Sequence, residues 1–322
     1  LQTEYLYESV WGNEGRYSGA FVLLLYGASV FLIGKLLRFH QIYLEVFLIA
    51  SMGVCLIGIA DYFNWDPMEF KIGLIRNQTL FTSTFGNINV YTAFVDIVMG
   101  AAAALFLSAQ GKRTCWYYIC MVIAFTAAIT GRSDNVYLAF AVIFGFLPFY
   151  GFSTRKGISR YVMTAASLFT IIGILEKFED RKGTELGMVI GMDGLAEVIG
   201  NIDGLLIFPA VLWILAFALY FVKRNEADQP VGKWLRYLWG LLLLLIIGAA
   251  AAAFLDANLG GHGERYGRLA PYLVFNDNWG TDRGFVWKFA MELYNQFPLI
   301  HKIFGYGADT FGILTTQYNG ET

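Results

Sequence analysis

Three observations predict an all-α fold, a polytopic bundle of transmembrane helices with a long extracytoplasmic loop that contains short helices. The 322 residues are 57% hydrophobic and 15% charged, where a soluble domain carries about a quarter charged residues. Mean hydropathy is +0.53. The apolar residues come in runs of about 16 to 21, long enough to cross a hydrocarbon core about 30 Å thick at 1.5 Å per residue. Between the runs, short basic connections alternate with longer, more acidic ones. The net charge of -2 says little about partners, because the position of each charge relative to the spans matters more.

About eight spans are expected. The first four are Ser18 to Gly34, Ile42 to Ala60, Ile88 to Ser108 and Cys115 to Thr130. The rest are Val136 to Gly151, Tyr161 to Leu175, Leu205 to Val222 and Tyr237 to Phe254. The fourth to sixth are the shortest. Lys35 and Arg38 follow the first span, Lys112 and Arg113 the third, and Arg155, Lys156 and Arg160 the fifth. Lys223, Arg224, Lys233 and Arg236 follow the seventh. Basic residues accumulate on the cytoplasmic side, so every other connection faces outward. Residues 1–254 form the expected transmembrane domain, and 255–322 an extracytoplasmic loop. The chain begins at Leu1 and stops at Thr322 in mid-loop, so a fragment lacking both ends of a longer protein is expected.

Cys55, Cys115 and Cys120 lie in or beside apolar runs without metal-ligand spacing, which argues against a disulfide framework or a zinc site. They are expected to be small packing residues.

Arginine on the outer face runs against the positive-inside bias. Arg16 precedes the first span, Arg76 the third, Arg132 occupies the turn between the fourth and fifth, and Arg283 lies in the last loop. Converging, they would bind a diphosphate, because guanidinium presents a planar fork of donors to phosphate oxygens. Separately, each would snorkel to its interface or pair with a nearby acid. Gly86, Asn87 and Asn89 open the third span. Asn87 reads as a helix cap, and the free N–H groups of that terminus also suit an anion.

Asp96 falls about 12 Å into the span. An intramembrane carboxylate is costly and marks either a functional site or the buried partner of a cation. Asp134, next to Arg132 and Ser133, suits capping the fifth span or holding the Arg132 guanidinium. His262 and His301 lie on the outer side, where either could serve as a base, although a lone histidine is more often structural. His40 is cytoplasmic. No serine–histidine–acid arrangement, nucleotide-type glycine loop or metal cluster stands out.

Taken in order, these residues resemble the O-antigen ligase and O-antigen polymerase-like superfamily of multi-pass bacterial membrane proteins. The likeness rests on Arg16–Tyr17–Ser18–Gly19, on Phe85–Gly86–Asn87 with Asn89, and on Arg132–Ser133–Asp134. In the outer loop it rests on Arg283, Trp287, Pro298, Gly305–Tyr306–Gly307 and Phe311. The resemblance implies transfer of a glycan from an undecaprenyl-diphosphate carrier to an acceptor hydroxyl on the extracytoplasmic face of the bacterial inner membrane. The acceptor would be a lipid, a glycan or a protein.

The resemblance also implies that arginines matching Arg132 and Arg283 hold the diphosphate. A loop histidine assisting the acceptor is expected beyond Thr322, so no catalytic residue is assigned. Fixed guanidinium groups would neutralise the leaving diphosphate, so no cofactor and no metal are expected, and attack opposite the leaving group would invert the anomeric centre. Besides donor and acceptor, the expected partner is the lipid bilayer, with no nucleic acid. A polymerase using the same donor is the alternative within the family. A lipid-linked glycan transporter is the alternative from another class, which would place charges at the bilayer midplane.

Overall fold

The computed structural model describes residues 5–12, 17–66, 68–69, 83–179, 189–192, 194–202, 204–221 and 229–320. These form helices without strands. They are α1 (Leu6–Trp11), α2 (Ala20–Leu36), α3 (Gln41–Tyr62), α4 (Ile88–Ser108), α5 (Arg113–Thr130), α6 (Asn135–Gly151) and α7 (Arg155–Phe178). There follow α8 (Gly194–Gly200), α9 (Ile207–Phe221), α10 (Trp234–Asn258), α11 (Ala270–Leu273), α12 (Trp279–Gln296), α13 (Leu299–Phe304) and α14 (Phe311–Gly320). A 3-10 helix spans Gly263–Leu269.

Each expected apolar run is helical, but length divides them. The helices α3, α4, α5, α7 and α10 are long and apolar enough to cross a membrane. The others, α2, α6 and α9, are apolar but have 17, 17 and 15 residues. At 1.5 Å per residue, 17 residues rise about 26 Å and 15 about 23 Å, against a core of about 30 Å. Two of the runs read as short turn out long. Helix α5 starts at Arg113 and α7 at Arg155, because a hydropathy run ends at the first charge whereas backbone hydrogen bonding continues through it. The Thr154 hydroxyl marks the true start of α7 by accepting from the Gly157 N–H at 3.1 Å.

The chain divides into two compact units, Gln41–Ala251 and Leu1–His40 with Ala252–Thr322. In the first, α4 is the central helix. Tyr91, Val95, Val98, Met99, Ala102 and Phe106 recur at helical spacing and are all buried, facing a matching stripe on α5 of Tyr117, Cys120, Met121, Ala124, Phe125 and Ala128. Helices α3, α6 and α7 complete the surround. Lipid tails are as apolar as these side chains, so the gain in such a core is close van der Waals contact, which the alanines of both helices permit. Cys55 and Cys120 are buried there as packing residues, while Cys115 is exposed.

Arg160 is the exception to that apolar logic. It lies within α7, not in the preceding connection, and is 8% exposed. One guanidinium nitrogen donates to the carbonyls of Phe106 at 2.9 Å, Leu107 at 3.1 Å and Ala109 at 2.6 Å. The other reaches the Thr114 hydroxyl at 3.1 Å. These are the orphan carbonyls at the C-terminus of α4, and a cation there also meets the negative end of the helix dipole.

In the second unit, α1 and the chain end meet through the Tyr5 hydroxyl, which donates to Gln317 Oε1 at 2.6 Å. Within the stretch expected to be a loop with short helices, the polar residues from Thr281 belong to the 18-residue helix α12. Gly284 does not break it, because the Asn276 carbonyl oxygen lies 1.8 Å from where a Cβ would be, so only glycine admits the incoming chain. Pro298 follows α12 and starts α13. The Gly305–Tyr306–Gly307 turn is held by His301, whose ring stacks on Tyr306 at 3.9 Å and whose Nδ1 bonds the Gly305 carbonyl at 2.9 Å. At 7% exposure His301 is a structural histidine.

Candidate functional site

At one end of the Gln41–Ala251 unit, two of the segments singled out in the sequence come together. Asn87 caps α4, its side-chain oxygen accepting from the N–H groups of Asn89 at 2.9 Å and Val90 at 3.2 Å. Gly86, at φ 69, turns the chain into that cap. Asn89 Oδ1 accepts from the Ser133 hydroxyl at 3.0 Å, and Ser133 also donates to Asn135. Asn135 in turn accepts from Thr92 at 3.0 Å and donates to the Asn89 carbonyl at 3.4 Å. The start of α4 and the α5–α6 turn are thereby fastened side by side. Asn87→Ala removes the cap and is expected to lower stability by about 1 kcal/mol, read as a fall in the unfolding midpoint. An unchanged midpoint would remove the cap from the account.

Arg132 sits in that turn at φ 51, a left-handed conformation uncommon for a residue with a side chain. The preceding glycine sets it up, since a Cβ on Gly131 would lie 2.7 Å from Thr92 Cγ2. Tyr62 is the last residue of α3. Tyr62 donates to Glu179, just past α7, and Glu179 also accepts from the Met192 N–H at 2.7 Å. The segment after residue 188 is pinned over this end by the Ile190 N–H on the Tyr62 carbonyl at 3.0 Å and the Ala196 N–H on the Tyr137 hydroxyl at 2.8 Å.

Asp134 holds the N-cap position of α6 without making the capping bond, because its own backbone is already helical at φ -65 and ψ -22. Asp96 is half-buried further along α4, and its Oδ1 is buried without a hydrogen-bond partner, so no bond from that oxygen ties it to an arginine. Arg16 and Arg76 lie outside the described residues. Arg283 and Trp287 belong to the other unit, both on α12 and both exposed. Trp287 packs with Trp279 at 5.4 Å and Phe275 at 6.4 Å.

The same unit holds a cavity of about 730 Å³ at the C-terminal end of α10. His262 lines it, and its Nδ1 lies 2.8 Å from Asp256 Oδ1. Asp256 Oδ2 accepts from the Tyr266 hydroxyl at 3.0 Å and has Arg265 at 3.7 Å. The Tyr266 phenol is raised above its ordinary value by desolvation and then by its bond to the Asp256 carboxylate. Sequence reasoning names His262 and passes over Asp256. The available signal was an acid in the last turn of an apolar helix, where the dipole disfavours a negative charge unless cations follow.

No protein-family model, curated protein or solved structure matches this chain.

Proposed function

We propose that the protein transfers a glycan from an undecaprenyl-diphosphate-linked donor to an acceptor hydroxyl at the extracytoplasmic face of the bacterial inner membrane, as the O-antigen ligases do. The observation that carries this reading is the juxtaposition of the α4 N-terminus with the Arg132–Ser133 turn. A helix terminus beside an arginine-bearing turn suits a leaving diphosphate, which needs positive charge that is already in place as the bond breaks. The carbon–oxygen bond to the diphosphate breaks with its electron pair passing to the phosphate oxygen, and the acceptor oxygen bonds the anomeric carbon as it loses its proton. Gly86, Asn87, Asn89, Asp96 and Asp134 are proposed to support this site, and on the resemblance alone Arg283, Arg16, Arg76 and Trp287 are proposed as further contributors to diphosphate binding.

The test is reconstitution of the intact protein with undecaprenyl-diphosphate-linked glycan and offered acceptors, comparing wild type with Arg283→Ala. Transfer that falls at least about 100-fold in the variant is expected for a lost transition-state contact. Product on lipid A core, on a growing glycan or on protein would distinguish ligase from polymerase or relative. Movement of the intact lipid-linked glycan between leaflets without transfer would replace this reading by the transporter.

A further inference from the structure

The cavity beside α10 has a chemistry unlike that of a diphosphate site. Its charged lining is balanced, Glu264 against Arg265, with the Asp256 carboxylate behind His262. A diphosphate would find no excess of positive charge there. The lining includes apolar Ala257, Ala270, Pro271 and Val274, together with Trp279. It also includes two neutral amides, Asn276 and Asn278, each able to donate and accept at once. Such a lining matches a molecule with C–H faces and hydroxyl edges. At about 730 Å³ the cavity also falls within the range of small-molecule sites, about 300–1,000 Å³.

His262 supplies the directional contact. Its Nδ1 faces a carboxylate oxygen that can only accept, so the proton resides on Nδ1 and Nε2 is the ring nitrogen left for a ligand hydroxyl. Asp256 is held in turn by Tyr266, which fixes the orientation of the pair.

We propose that this cavity is a saccharide-binding site, with His262 Nε2 accepting from a sugar hydroxyl, Asn276 and Asn278 bonding further hydroxyls, and Trp279 covering a C–H face. The assignment of the bound sugar as the end of a glycan acceptor rests on the transfer reading above. The binding site itself does not.

The experiment is saturation-transfer NMR on the intact protein in nanodiscs, free of sugar-based detergent, with free glucose, galactose, mannose and N-acetylglucosamine at millimolar concentration. Transfer of saturation to at least one sugar is expected, weakened about tenfold by His262→Ala and by Asn278→Ala, each the loss of one hydrogen bond to a polar ligand. Asn278 is exposed and its side chain makes no capping bond at the start of α12, so its variant guards against misfolding of the histidine variant. No signal from any of the four sugars, or a signal that neither substitution changes, would overturn the site. Sugar binding in a protein that transfers nothing would leave the site standing and remove the transfer reading. Unaltered transfer by variants that bind no sugar would leave the site standing and remove its assignment to the acceptor.

Discussion

Arg132→Gly is expected to abolish glycan transfer while leaving the fold intact. The effect on rate follows from placement. Arg132 springs from a backbone held by the Gly131–Thr92 approach on one side and the Ser133–Asn89 bond on the other, so in the proposed site its charge is carried by a fixed turn. Removal of one such preorganised group lowers turnover by about 100- to 1,000-fold. Glycine is the informative replacement because φ 51 is unstrained for it, whereas an alanine would carry a left-handed penalty of about 1 kcal/mol. Loss of transfer with an unchanged unfolding midpoint places Arg132 at the chemistry. Full transfer by Arg132→Gly would remove it from the site. Arg132→Lys keeps the charge but loses the planar fork, and an intermediate rate is expected.

The largest expected effect on stability belongs to Arg160→Met. The substitution keeps much of the volume and removes every donor, leaving the carbonyls of Phe106, Leu107 and Ala109 without the guanidinium they share. Buried acceptors stripped of a charged partner cost on the order of 3 kcal/mol in total. Size-exclusion profiles after graded heating would register a lower midpoint and earlier aggregation. Arg160→Lys should rescue little, because one ammonium cannot serve three carbonyls and the Thr114 hydroxyl together. A midpoint equal to wild type in Arg160→Met would show that the α4 terminus is satisfied by other means.

The helices were legible because hydropathy and helical spacing are local properties. Every apolar run became a helix, and the buried stripes of α4 and α5 follow the spacing their sequences carry. Helix ends were less legible. A run of apolar residues stops at Thr114, whereas the hydrogen-bonded helix starts at Arg113, and Arg160 was counted with a connection although a cap at Thr154 had already begun α7. In α12, Gly284 is a packing glycine, identifiable only once the Asn276 carbonyl is seen against it.

In the candidate site, the cap at Asn87 could be read from residue type and position alone, and the structure forms it. The histidines could not be told apart. His301 and His262 each follow a turn signal and each lie toward the chain end, yet one is stacked and buried while the other lines a cavity beside a carboxylate.

The sequence alone determined the all-helical membrane class, the position of each apolar helix and the start of α4, since each depends on residues within a few turns of one another. Tertiary structure alone decided that Asn89 meets Ser133 across 44 residues and that Arg160 closes the end of α4 across more than 50. It also decided that His262, bonded to Asp256, shares a cavity with Asn278 and Trp279. Those contacts depend on which helix faces which, and hydropathy, being nearly uniform around an apolar helix in lipid, carries little of that information.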